Sequence, residues 1–216
     1  GRSTLDRDER YEIYQEIQRV LAEELPVIPL AFQRQPWLMS SNLEGAKANL
    51  LSGWRVDSDL LSFKDQDGGT FRYAYTSDPV KLLPWWGNIG SSIFATDVWE
   101  TLVAADEKFA PMPELAHSWE VTDEGSTYTF NLEKGVLWHD GEPFTADDVV
   151  FTFEGLAEPE TGTTMHSRVV QNVESVEALD DYTVRFNMKT KNPGAMSTVF
   201  MSVVIIPEHI MGEETY

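Results

Sequence analysis

Two stretches in which apolar and polar residues alternate on both sides of an acidic turn constrain the fold of this 216-residue chain more than any other feature. In "HSWEVTDEGSTYTFNLE" (117–133), Trp119 and Val121 precede a turn at Asp123 to Gly125, and Tyr128, Phe130 and Leu132 follow on one face. In "VESVEALDDYTVRFNMK" (173–189), Val173 and Val176 precede a turn at Asp180 and Asp181, after which Val184, Phe186 and Met188 alternate. A period of two sends each apolar set to one side of its strand, so two hairpins with one buried face each are predicted. Between them lies "GVLWHDGEPFTADDVVFTF" (135–153). There Gly141 allows a tight turn, Thr145 caps a helix, and Asp147 and Asp148 sit in its first turn, where carboxylates suit the free N–H groups and the dipole. Val149, Val150 and Phe153 are expected in the core.

The remaining chain mixes both kinds of element. Asp6 caps a helix in which Ile13, Ile17, Val20, Leu21 and Leu25 recur at helical spacing, with Glu9 placed as in a capping box and Pro26 as the stop. "VIPLAF" (27–32) reads as a short strand and "FRYAY" (71–75) as another, while "TSDPVKLLPWWGN" has the Pro and Gly punctuation of an ordered loop. "SIFATDVWETLVAAD" (92–106) is predicted to be an amphipathic helix burying Ile93, Phe94, Val98, Trp99 and Leu102. "KDQDGGT" (64–70) marks a turn or a join, and "AMSTVFMSVVIIPEHI" begins apolar and ends in a Pro-initiated turn or short helix. Strands and helices lack the regular alternation of a doubly wound sheet, so the expected class is a mixed α/β fold.

Composition narrows the function. A formal net charge of -20 repels phosphate backbones, so no nucleic-acid partner is expected. The charge is uneven, with 8 basic and 11 acidic side chains in residues 1–65 and 8 and 25 in the rest. Seven Trp and 42% hydrophobic residues are ample for a core, which argues against disorder. With no Cys there is no disulfide, thiolate nucleophile or Cys-ligated zinc. No apolar run is long enough for a bilayer and no leader-like stretch opens the sequence, so a soluble chain is expected.

Catalytic signatures do not emerge. A glycosidase needs two convergent carboxylates, but of Asp140, Glu142, Asp147 and Asp148 two already suit a helix start. His117, His139, His166 and His209 include no pair four apart, there is no Gly-rich phosphate loop after a strand, and no G-x-S-x-G occurs. Neither a catalytic residue, a metal site nor a cofactor is therefore called for, and the chain is read as a non-enzyme. Trp85 and Trp86 lie in a loop bounded by Pro and Gly, where they either stack on a ligand or plug the core under the loop.

One resemblance covers nearly the whole chain. "PELAHSWEVTDEGSTYTFNLEKGVLWHDGEPFTADDVVFTFEGL" (113–156) resembles the signature region of the family 5 extracellular solute-binding proteins of peptide, nickel and oligosaccharide ABC importers. "SDPVKLLP" with "VWETLV" looks like that family's opening strand, loop and helix, "VESVEALDDYTVRFNM" like its next hairpin, and "VIIPEHI" like the segment before the return to the other lobe. "DRDERYEIYQEIQRVLAEELPVIPLAFQRQPWLMSSNLEG" is similar to the family's far, C-terminal end, so the order is reversed and the middle that builds the second lobe is absent.

The resemblance implies a periplasmic-binding-protein-like lobe with a mixed sheet, flanking helices and added hairpins, circularly permuted or fragmentary. Residues 1–64 and 71–216 would form one compact lobe joined through 65–70, near Gly68 and Gly69. Its parent would carry an oligopeptide or oligosaccharide to an ABC permease in the periplasm or outside the cell, with a lipid anchor as one form of attachment. By resemblance Tyr75, Ser77 and Asp78, with Trp85 and Trp86, line the cleft, joined by Met165 and His166. One lobe alone would bind solute weakly or not at all, and could dimerise through its former hinge-side surface. The rival readings are a stand-alone scaffold or interaction domain and a carbohydrate-active enzyme with paired carboxylates.

Overall fold

A computed structural model describes residues 4–26, 28, 40–45, 61–70, 72, 98–106, 109–159 and 163–212. The chain divides into two units, residues 3–74 and residues 75–216. Among the described residues no helix is long and apolar enough to cross a membrane.

In the first unit, α1 (Arg7–Glu24) starts where the sequence places it. The Asp6 carboxylate accepts from Glu9 N at 2.8 Å, and Asp8 and Glu9 add negative charge to the first turn. The second half of the expected capping box is taken by another partner, because Asp6 N donates to Thr4 Oγ1 at 3.1 Å. Leu25 closes the helix in the left-handed region (φ 45°), its N–H on Leu21 O, and Pro26 follows. The predicted apolar stripe is present but open: Ile17, Val20, Leu21 and Leu25 are 45%, 42%, 50% and 58% exposed. On α1, Arg19 pairs with Glu16 and Glu23, at exposed positions where such pairs contribute little.

Two short strands complete the described part of this unit. β1 (Leu43–Glu44) pairs antiparallel with β2 (Ser62–Phe63), and a bridge from Phe63 to Gln66 folds the "KDQDGG" stretch into a tight turn. Gly69 has φ 148°, and a Cβ there would lie 2.6 Å from Gln66 Nε2 and 2.7 Å from the Phe63 ring, so this position tolerates only glycine without rearrangement. The predicted strands at 27–32 and 71–75 and the loop at 76–88 lie outside the described residues, apart from Ile28 and Arg72.

The second unit is built on a four-stranded antiparallel sheet. β3 (Val103–Ala105) pairs with β4 (Pro111–Pro113), and then come β5 (Ala116–Thr122), β6 (Thr127–Leu132), α2 (Ala146–Ala157), α3 (Thr164–Asn172), β7 (Val173–Asp180) and β8 (Thr183–Met188). A π-helical turn (Met196–Phe200) and α4 (Glu208–Met211) follow. The strand order is β5-β6-β8-β7, so the two predicted hairpins lie side by side with their second strands paired at the centre. Both central strands alternate as the sequence dictates: Tyr128, Phe130 and Leu132 on β6, and Val184, Phe186 and Met188 on β8, are all buried. The outer strands carry register breaks, in β5 between Ala116 and Ser118 and in β7 at 173–175 and 178–180, a form of edge that discourages the addition of a further strand.

Helix α2 covers the buried face. Val149, Phe153 and Leu156 are fully buried, while Val150, expected in the core, is half-buried at the margin. Phe200 completes the core from the π-helical turn, its ring centroid 5.0 Å from that of Tyr128, 4.7 Å from Phe130, 4.9 Å from Phe186 and 6.4 Å from Phe153. Buried polar groups are tied across the layers: Tyr128 OH donates to Asn192 O at 2.7 Å, and Ile206 N donates to Thr152 Oγ1 at 3.1 Å. These bonds fix the 192–206 segment against the sheet and α2, although the buried Asn192 Oδ1 is left without a hydrogen-bond partner.

The turn of the first hairpin rests on Gly125. Asp123, Glu124 and Gly125 all have positive φ, at 51°, 57° and 88°. A Cβ on Gly125 would stand 3.0 Å from Pro193 N. Gly125→Ala is therefore expected to destabilise the unit by about 2 kcal/mol, read as a lower denaturation midpoint, while Glu124→Ala stays within about 0.5 kcal/mol.

The helix predicted over 92–106 needs correction. Val98 is helical, but Thr101 bridges to Val204 and Val103–Ala105 is strand β3. The backbone here bonds to distant partners: Leu115 N to Thr101 O, Ala116 N to Leu102 O, and Ile205 N to Glu100 O. An extended segment held from two sides buries the neighbours Leu102 and Val103 together, and this tertiary pairing overrides the local helical period. Ile93 and Phe94 lie outside the described residues.

Candidate solute-facing site

Of the seven residues expected to face a solute, Met165 and His166 lie among the described residues, whereas Tyr75, Ser77, Asp78, Trp85 and Trp86 lie outside them. Met165 and His166 occupy the first turn of α3. The preceding Thr163 is buried and caps the helix, its Oγ1 accepting from Met165 N and His166 N, both at 3.1 Å. Met165 packs against the core from a half-buried position. The His166 ring Nδ1 lies 3.0 Å from the Leu156 carbonyl at the end of α2. A carbonyl can only accept, so Nδ1 carries the proton, and in the neutral ring Nε2 is left as an acceptor. A soft thioether beside an oriented imidazole can contact a ligand.

Two of the four carboxylates in "WHDGEPFTADD", those of Asp140 and Asp148, are occupied in holding the fold. Trp138 N donates to Glu142 O at 2.8 Å and Gly141 N to Trp138 O at 2.9 Å, which forms the tight turn expected at Gly141. Thr145 and Asp148 form the capping box of α2. Asp148 is only 4% exposed, and both its oxygens accept: Oδ2 from Thr145 N (2.9 Å) and from the Trp138 indole N–H (3.2 Å), Oδ1 from Glu208 N (2.9 Å). The Trp138 ring stands edge-on to Trp99 and to Phe144, at 6.3 and 6.0 Å between centroids. Asp140 Oδ2 lies 2.7 Å from His209 Nε2. That bond, helped by the Glu142 N–H, holds the Asp140 carboxyl below its usual range, and the same bond raises the His209 imidazole. Among the described residues no group of three or more His, Asp or Glu side chains could hold a metal ion.

Sequence reasoning missed two of these roles. The bond from Asp148 to α4 spans 60 residues and the pair Asp140–His209 spans 69, so neither leaves a local signal.

Residues 110–215 match the profile described as "Bacterial extracellular solute-binding proteins, family 5 Middle". The oligopeptide-binding protein AppA of Bacillus subtilis is 31% identical over 159 residues, 69% of this chain and 27% of AppA. Heme-binding protein A of Haemophilus influenzae is 31% identical over 162 residues, 66% of this chain and 30% of that protein. The crystal structure of NikZ from Campylobacter jejuni in complex with Ni(L-His) superposes with a TM-score of 0.56 at 27% identity, covering 64% of this chain and 27% of NikZ. AppA in complex with a nonapeptide superposes with the same TM-score of 0.56 at 31% identity, over 61% of this chain and 26% of that one. The chain spans about a quarter of the length of the curated relatives it matches. Its fold is the mixed α/β fold of the periplasmic binding proteins, and the matched family is one of solute-binding proteins rather than enzymes. Residues 110–215, just under half of the chain, are thus similar to family 5 of the bacterial extracellular solute-binding proteins.

Proposed function

We propose that this chain is one lobe of the solute-binding component of an ABC importer, with weak or no solute binding by itself. The family match over 110–215 carries the reading. A peptide is the favoured solute, because AppA is named for oligopeptide binding and its solved structure holds a nonapeptide. An oligosaccharide is the alternative that stacking on Trp85 and Trp86 would favour. The parent would work outside the cytoplasm with an ABC permease, free or lipid-anchored, and Tyr75, Ser77, Asp78, Trp85, Trp86, Met165 and His166 would line its cleft. In the same reading residues 1–64 are the family's C-terminal part, placed ahead of its N-terminal part by a join in the turn at Gly68 and Gly69. Permutation at a solvent-exposed turn retains the core contacts and changes only the closure entropy.

The expected affinity follows from burial. A two-lobed binding protein encloses its solute from both sides, and a lobe alone keeps about half of the contacts. Halving a binding free energy of about -8 kcal/mol leaves a Kd near the millimolar range. Titration calorimetry of the purified chain with defined oligopeptide and oligosaccharide pools is expected to show millimolar binding or none. Submicromolar binding by the monomer would overturn the single-lobe reading. A dimer in sedimentation would support an exposed former hinge surface, the feature on which the alternative scaffold reading also rests.

A further inference from the structure

Helix α4 is four residues long, too short to hold itself, and three attachments keep it in place. Met211 is buried in the core, Glu208 N is bound by the buried Asp148, and the His209 ring meets Asp140 on the 138–142 turn. The third joins two solvent-accessible side chains, 35% and 40% exposed, from segments 69 residues apart. We infer that the Asp140–His209 pair is a proton-operated clasp, closed in mildly acid medium and loosened in alkaline medium, that ties the 138–142 turn to α4.

The charges around the ring act in one direction. Asp140 and Glu142 face it from the turn and Asp148 from α2, and each favours the imidazolium. The neighbouring Glu208 on α4 and the exposed Asp147 and Glu154 on α2 are acidic too. His209 is raised above the ordinary imidazole value of 6.5, so its contribution is complete below that pH and is lost as pH rises through the higher folded value. Asp140 is lowered below 3.8, so its contribution is present above that pH and is lost as pH falls through the lower folded value. The clasp is therefore closed between these two limits. The neutral ring can still donate from Nε2 as one tautomer, so what the alkaline limb removes is the charge assistance, and the turn and α4 loosen without separating.

The test uses the full chain and two readouts. In NMR the His209 ring should titrate above the ordinary imidazole value, and Asp140→Asn should bring its midpoint down towards that value. Asn keeps the Oδ1 acceptor for Glu142 N, so the turn itself is preserved. Hydrogen-exchange protection of Met211 and Gly212, whose amides bond to Pro207 O and Glu208 O, should fall about threefold between roughly pH 6 and pH 9. In Asp140→Asn and His209→Gln that step should vanish. An unchanged midpoint in Asp140→Asn, or a pH step that persists in both variants, would overturn the clasp.

Discussion

Replacing Phe200 by Ala is expected to destabilise the 75–216 unit by about 4 kcal/mol, a shift in Tm on the order of 10 °C. The ring is fully buried and stands within 5.0 Å, centroid to centroid, of Tyr128, Phe130 and Phe186, which come from the two central strands. Truncation removes the transfer free energy of the ring and leaves a cavity that these neighbours cannot fill, because Phe130 is already held by Phe186 and Phe186 by Phe153. Leu179→Ala supplies the comparison, since Leu179 is 45% exposed on the edge strand and should change stability by less than about 0.5 kcal/mol. Phe200→Leu should fall between the two. If Phe200→Ala melts within a degree or two of the parent, the 196–200 segment does not close the core as described.

The position of Phe200 illustrates what could be read in advance. The hairpins were legible because their information is local: a period of two, acidic turn residues and Gly125 lie within a few positions of one another. The start of α1 was legible for the same reason, since Asp6 reaches Glu9 N three residues on. Residues 99–106 were not, because the backbone partners that make them extended lie at 111–116 and 204–205. Of the candidate site, Met165 and His166 could be named but not their setting. The Thr163 cap follows from a Thr just ahead of the helix, whereas the bond from His166 to the Leu156 carbonyl depends on how α2 and α3 meet. The open stripe on α1 makes the same point from the other side: its period was visible, and the period does not say what lies against it.

Asp148→Ala is expected to cost about 3 kcal/mol, well beyond the loss of a helix cap. Thr145→Ala, which removes only the hydroxyl half of the capping box, should cost about 1 kcal/mol. Asp148 does more because its two oxygens serve three donors from three places: the helix entry at Thr145, the indole of Trp138 on the preceding turn, and the first N–H of α4 at Glu208. Removing the carboxylate strands these donors in a region where Asp148 itself is 4% exposed, and unsatisfied buried groups are costlier than the net worth of the bonds they made. Asp148→Asn keeps the shape but offers one acceptor oxygen in place of two and turns an NH2 towards N–H donors, so it should recover less than half of the loss. Urea denaturation followed by circular dichroism would measure all three variants, with the midpoint falling and the slope unchanged if the native state alone is affected. Should Asp148→Ala prove no worse than Thr145→Ala, the carboxylate would be a cap and nothing more, and the attachment of α4 would have to rest on Met211 and the Asp140–His209 pair.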